Sequence, residues 1–289
     1  MTPVSYIQPH KIKTAQAGEV LRDSVDNTSH QFVQARLAGR SLASYPGTVP
    51  PDLATAYRIQ ARSISAWPDK PCGWKVARIG PQWQVQYPEE RLIGPVFPPN
   101  VHVVGAGDVA VCPIIEGGFA AIEAEIGVYV GKDAPAARID WTADEAAGFV
   151  DKVCIGVEVA SSPLATLNDL GPGAVISDFG NNWGVIAGAE IQDWRTRTQD
   201  LAVETFIGGK SVGRGNIAIP ATPLAALAFA LNKAAQQGLA LRKGDYISTG
   251  MITGVHDIRV GEESRLSFGE YGEIRCRMIR AGRYEESGR

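Results

Sequence analysis

Hydrophobic positions change their period along the chain. From Glu19 to Gly39, Val20, Val25, Phe32, Ala35 and Leu37 recur at roughly helical spacing, and Gly39 supplies a stop. A second helix is predicted over Pro51 to Ala66, with Leu53, Ala56, Tyr57 and Ile59 turned inward. Residues 1 to about 18 mix Pro, Lys and Gln without a period and read as an arm, loose or pinned to a partner. The turn-rich stretch Pro68-Asp-Lys-Pro-Cys-Gly73 marks a boundary between an N-terminal arm and helical part over 1–70 and a β-rich domain over 71–289.

Past that boundary the pattern becomes short β-branched runs punctuated by Gly and Pro. Strands are predicted over Trp74 to Ile79, Leu92 to Phe97, Val109 to Ile115, Ala121 to Val130, Val153 to Val159, Gly184 to Ala187, Val203 to Ile207, Tyr246 to Thr249 and Ser264 to Ile279. Helices interrupt them at Thr142 to Val150 and at Thr222 to Gln237, the latter opening on Thr222-Pro223 and closing at Gly238. Fold class is therefore α+β.

Three acids break the strand pattern. Glu123 and Glu125 lie one residue apart in the apolar run Phe119 to Val130, and Glu158 stands among Val, Ile and Cys in Val153 to Val159. A period of two puts Glu123 and Glu125 on one face, about 7 Å apart at Cα, while Ala120, Ile122, Ala124, Ile126, Val128 and Val130 cover the other. Two carboxylates held that close against an apolar wall repel and lose hydration, so one takes up a proton or a cation settles between them. Oxygen ligands alone favour Mg²⁺ or Mn²⁺ over Zn²⁺. The competing reading is an edge strand whose acids point at water.

Composition narrows the function classes. Of 289 residues 45% are hydrophobic and 20% charged, which is ordinary for a globular protein with a sizeable core. A net charge of -3 without Lys/Arg clusters argues against nucleic-acid binding. Neither a spanning apolar segment nor a basic leader with an apolar core is found, so no membrane partner is expected and the default location is the cytoplasm. Cys72, Cys112, Cys154 and Cys276 are widely spaced and read as free, mostly buried thiols. The four histidines show no ligand spacing, and only His256 falls in a candidate site loop.

Two familiar strings are decoys. Gly209-Lys210-Ser211 lacks the upstream glycine of a phosphate loop, and Ile207-Gly-Gly-Lys210 reads as a hairpin turn. Asp178-Phe179-Gly180 has no accompanying kinase motifs. Lys75, between Trp74 and Val76, is either a snorkelling surface lysine or a buried one that needs an anionic partner and can move protons. Asp178, Asn181 and Asn182 form a polar loop beside a strand, suited to substrate contacts or to an Asx-turn linker. Gly244-Asp-Tyr-Ile-Ser-Thr-Gly250 ends a strand in Ser248, Thr249 and Gly250, whose amides and hydroxyls suit an anionic ligand.

Together, Ala56-Tyr-Arg-Ile-Gln60, Gly73-Trp-Lys75, Glu123-Ala-Glu125, Glu158, the Asp178 to Asn182 loop, the Asn232 to Gly238 helix end and Gly244-Asp245 with Ser248-Thr-Gly250 give the chain its resemblance to the fumarylacetoacetate hydrolase superfamily. The branch it resembles holds the 2-keto-4-pentenoate hydratases and 4-oxalocrotonate decarboxylases. That resemblance implies a mixed β-roll core with a smaller helical N-terminal part, assembled as a homo-oligomer, dimer or larger. It implies Glu123, Glu125 and Glu158 as ligands to Mg²⁺ or Mn²⁺ and Lys75 as general acid/base. Asp178 is then expected to orient water or Lys75, and Asn181, Asn182, Ser248, Thr249 and Gly250 to contact a small 2-oxo acid. Hydration of a 2-hydroxy-2,4-dienoate leads the expected outcomes, before decarboxylation of an oxalocrotonate-like acid and hydrolysis of an acylpyruvate. A metabolite-binding relative without chemistry is the alternative of another class. In the sequence, no arginine is found where a distal substrate carboxylate would be clamped.

Overall fold

The computed structural model describes residues 10–284. Helix α1 (His10–Leu37) and helix α2 (Leu53–Ala66) pack on each other ahead of the first strand. Asp52 caps α2 by accepting a hydrogen bond from the Thr55 amide at 2.7 Å. The helix presents Leu53, Ala56 and Tyr57 to the main core. The expected arm is corrected over residues 10–18, which already belong to α1; Lys and Gln propagate a helix well without an apolar stripe. Its remainder, residues 1–9, lies outside the described residues.

Thirteen strands follow: β1 (Gly73–Arg78), β2 (Arg91–Val96), β3 (Val101–Val103), β4 (Val109–Ile114), β5 (Phe119–Val130), β6 (Val150–Ser162), β7 (Asn182–Glu190), β8 (Leu201–Ile207), β9 (Lys210–Ile217), β10 (Tyr246–Ser248), β11 (His256–Asp257), β12 (Glu263–Ser267) and β13 (Glu273–Arg280). Among them lie α3 (Ala143–Ala146), α4 (Pro172–Ser177) and α5 (Ala221–Gln236). One sheet runs β2-β1-β10-β5-β6-β7-β3, with β11 also paired to β5; the second runs β4-β13-β12-β8-β9. Both are mixed, because β1 runs parallel to β10, β3 to β7 and β4 to β13.

Strand β5 occupies the middle of the larger sheet between β10 and β6, which rules out the edge-strand reading of its acids. Ile122, Ala124, Ile126, Val128 and Val130 are buried in the main core beside Leu227, Leu231 and Ala234 of α5. Removing each of the Ile and Val side chains from water contributes about 1.5–3 kcal/mol. A strand buried on both faces can keep carboxylates only if they are partnered.

Other differences have local causes. The predicted strand Ser264 to Ile279 is a hairpin, β12 and β13, broken by a turn at Gly269–Tyr271 and by Gly272 with positive φ. The predicted helix at Thr142 to Val150 is only α3, with a Thr142–Glu145 capping box, and one 3-10 turn; Val150 already starts β6. The Ile207 to Lys210 hairpin turn is as expected, with Gly208 and Gly209 both at positive φ. The four cysteines are free. No helix among the described residues is long and apolar enough to cross a membrane.

Candidate metal centre and its cavity

Ladder register brings the three acids together. Glu123 of β5 lies directly opposite Glu158 of β6, and Glu125, two positions on, lies opposite Gly156. Residues facing each other across antiparallel strands share a face, so all three side chains converge. Each offers a carboxylate oxygen within 4.8 Å of the others. Exposure is 6%, 1% and 0% for Glu123, Glu125 and Glu158, so water does not neutralise them.

Two of the three carboxylates, Glu125 and Glu158, are held from behind. Ser248 of β10 and the Gly250 amide both donate to Glu125 Oε2, the amide at 3.0 Å. Asn182, at the start of β7, donates from Nδ2 to Glu158 Oε1 at 3.0 Å. Lys75 of β1 is 3% exposed, and its Nζ stands 3.2 Å from either oxygen of Glu158. The snorkelling reading of Lys75 is thereby excluded. Glu125 Oε1, in contrast, is buried without a hydrogen-bond partner.

Electrostatics follow from this crowding. Burial, then repulsion from Glu158, pushes the Glu123 carboxyl up to about 8, with the Lys75 charge opposing. Glu125 is raised by burial and by its two acidic neighbours, against the pull of Ser248 and Gly250. Burial alone would lower Lys75, but Glu158, Glu123 and Glu125 together more than offset it, so its ammonium is stabilised. Three buried carboxylates around one ammonium, with an orphaned oxygen on Glu125, fit a divalent cation bound through oxygen.

A cavity of about 620 Å³ opens onto this cluster, with Lys75, Glu123, Asn181, Thr249 and Gly250 among its lining residues. Thr249 donates its hydroxyl to the Ile126 carbonyl at 2.8 Å. Asn181 donates to Asn168 at 3.3 Å and leaves its own Oδ1 buried and unpartnered. Ser248 and Asn182, in contrast, direct their side chains at Glu125 and Glu158. His256 is not among the lining residues; its Nε2 lies 3.2 Å from Thr253 Oγ1.

Asp178 is brought near but turned elsewhere. Both its oxygens accept from the Arg36 guanidinium of α1, which also donates to the carbonyls of Ser161 and Asn182. Arg36 was not anticipated as part of the site; its one signal is a charged residue four positions after Phe32, inside the inward stripe of a helix. The loop it grips is unusual, with Phe179, Gly180 and Asn181 all at positive φ. Gly94 of β2, opposite Lys75, lets this loop close over the lysine: a Cβ at Gly94 would stand 2.1 Å from the Phe179 carbonyl oxygen.

Residues 76–281 match the family model described as the fumarylacetoacetate (FAA) hydrolase C-terminal domain. The chain belongs to the fumarylacetoacetate hydrolase family. A magnesium- and adipate-bound 4-oxalocrotonate decarboxylase from Pseudomonas putida G7 shares its fold at a TM-score of 0.71 and 22% identity, over 89% of this chain and 98% of that one. Fumarylpyruvate hydrolase from Pseudomonas aeruginosa, solved with Mn²⁺ and pyruvate, gives 0.52 and 16%, over 72% of this chain and 89% of that one. A 5-carboxymethyl-2-hydroxymuconate delta-isomerase from Mycobacterium smegmatis gives 0.50 and 18%, over 74% and 82%. No curated protein matches the sequence. A metal-dependent enzyme of the fumarylacetoacetate hydrolase superfamily, with the mixed α+β fold expected of it, is the reading these matches and the buried triad support.

Proposed function

We propose that this enzyme is a lyase that adds water to a 2-hydroxy-2,4-dienoate, with Lys75 as its proton carrier. The observation that carries the reading is the Lys75 ammonium, buried at one wall of an open cavity and 3.2 Å from Glu158. A lysine kept charged there is a proton source facing room for a small acid. Mg²⁺ or Mn²⁺ held by Glu123, Glu125 and Glu158 supplies Lewis-acid stabilisation of negative charge on the 2-oxo oxygen. The magnesium and manganese in two of the solved relatives support that choice of ion.

Lys75 gives its proton to carbon 5 of the dienol as the enol hydroxyl loses its own, leaving a conjugated 2-oxo-3-enoate. Water then adds at carbon 4, the carbon 3–carbon 4 π bond breaks, and a proton enters at carbon 3. One water is gained and nothing is oxidised. The free Oδ1 of Asn181 is the acceptor for that water, and Thr249 and Gly250 line the substrate's path. Ser248 and Asn182 orient the ligand carboxylates, while Asp178 acts at one remove by fixing its loop on Arg36. Hydrolysis of an acylpyruvate calls for a His/Glu pair to activate water, and no histidine lines this cavity.

The test is to incubate the protein with Mg²⁺ and 2-hydroxypenta-2,4-dienoate, follow loss of the enol absorbance and identify the product, with Glu123→Ala as control. Appearance of the 4-hydroxy-2-oxo acid supports the reading. Release of carbon dioxide from an oxalocrotonate-like acid, or cleavage of an acylpyruvate, with no hydration would replace it. Metal binding with no turnover of any of the three would favour a metabolite-binding relative.

A further inference from the structure

Four consecutive residues of one loop meet the site, each at a different group. The Phe179 carbonyl oxygen closes over Gly94, the ladder partner of Lys75. A Cβ on Gly180 would stand 3.2 Å from Lys75 Cε, so the backbone there packs along the lysine side chain. Asn181 lines the cavity with its Oδ1 buried and unpartnered, and Asn182 donates to Glu158. Phe179, Gly180 and Asn181 have φ of 55°, 68° and 65°. Residues other than glycine rarely take that region, and two of them within three residues persist only where the surroundings over-determine the backbone.

Arg36 supplies that constraint from α1. At one end of the loop it donates to both carboxylate oxygens of Asp178 and, from Nη2 at 3.1 Å, to the Asp178 carbonyl. At the other end Nη1 donates to the Asn182 carbonyl at 2.8 Å, while Nη2 reaches the Ser161 carbonyl of β6 at 3.0 Å. One planar group thus ties the first residue of the loop to the last. The rings of Phe179 and Trp183 lie 5.2 and 5.4 Å from its Cζ, and the residue is 1% exposed, so water does not compete. A lysine could not make the same span, because its three donors spring from one nitrogen whereas the five of a guanidinium radiate in a plane. The family match begins at residue 76, so the clamp comes from outside the matched residues. We propose that Arg36 is a positioning residue for the reaction: by closing residues 178–182 it holds Asn181 Oδ1 in the cavity and walls in the Lys75 side chain. This rests on the lyase reading for what Asn181 does, namely accept from the attacking water. It also makes the helical N-terminal part a contributor to turnover, so chemistry is not confined to the β-rich domain.

The experiment compares Arg36→Lys, Asn181→Ala and their double variant in the full-length, Mg²⁺-loaded enzyme with 2-hydroxypenta-2,4-dienoate. Arg36→Lys keeps a cation beside Asp178 but gives up the span, and kcat is expected to fall about 10²-fold with KM little changed. In the Asn181→Ala background the same replacement is expected to slow turnover by about threefold or less, because the group it places is already gone. Equal losses in both backgrounds, or Arg36→Lys at the wild-type kcat, overturn the proposal. Amide hydrogen exchange read by mass spectrometry is the second measurement: Arg36→Lys is expected to speed exchange over 178–182 while β5 and β6 keep their protection. Exchange that rises everywhere, or nowhere, also overturns it. Should the lysine variant fail to fold, Asp178→Asn, which weakens one end of the clamp, is held to the same two readouts. A wild type that leaves the hydroxydienoate untouched sinks the lyase reading alone, and the exchange pattern then judges the clamp by itself.

Discussion

Arg36 and Asp178 form a two-pronged ion pair across 142 residues of sequence, with Arg36 Nη2 standing 2.9 Å from Asp178 Oδ2. Both side chains are buried, and the guanidinium also donates to the carbonyls of Ser161 and Asn182, the latter being the residue whose side chain donates to Glu158. Truncating one partner strands the other charge. Arg36→Ala is expected to cost about 3–5 kcal/mol of stability in urea unfolding, and the Arg36→Ala/Asp178→Ala double variant less than the sum of the singles. Additive losses would mean that the pair is not coupled.

Ser248 is a different kind of support. Its hydroxyl and the Gly250 amide share Glu125 Oε2, so Ser248→Ala removes one of two donors and leaves the backbone in place. Mn²⁺ affinity should weaken about 10–100-fold, with little change in melting temperature. Titration followed by electron paramagnetic resonance reads this directly. An unaltered dissociation constant would show that Glu125 orients itself.

Much of this site was legible in the sequence because strand periodicity is local. Two glutamates at i and i+2 share a face whatever the sheet does, and an acid amid Val, Ile and Cys needs a reason to be buried. That Glu158 faces Glu123 is a matter of register, set by pairing over the whole of β5 and β6. Lys75 was legible as a strand lysine, but whether it snorkels or is buried, and which carboxylate it meets, waited on the fold. Asp178 was misjudged in its partner for the same reason: a polar loop announces hydrogen bonds but not with whom, and Arg36 arrives from a helix far upstream.

Lys75 is expected to separate chemistry from metal binding. In Lys75→Met the proton carrier is gone, and turnover should fall by about 10²–10⁴-fold. Glu158 loses its cationic neighbour at the same time, so affinity for Mg²⁺ should rise rather than fall. Steady-state rates and calorimetry on one preparation test both halves. Near-normal turnover would remove Lys75 from the proton path.

Stability of the metal-free protein should depend on pH in a direction fixed by Glu123. Burial and Glu158 push its carboxyl from 4.5 up to about 8, against the pull of Lys75, and Glu125 is raised with it. Between those values the folded protein holds protons that the unfolded chain has released. The favourable contribution is complete below about 4.5 and is lost progressively as pH climbs through about 8. A divalent ion replaces the missing proton, so the gain in melting temperature on adding Mg²⁺ should be small near roughly pH 5 and largest above roughly pH 8. Melting curves with EDTA and with Mg²⁺ across that range decide it, since a gain independent of pH would mean that protons and the ion do not compete for this cluster.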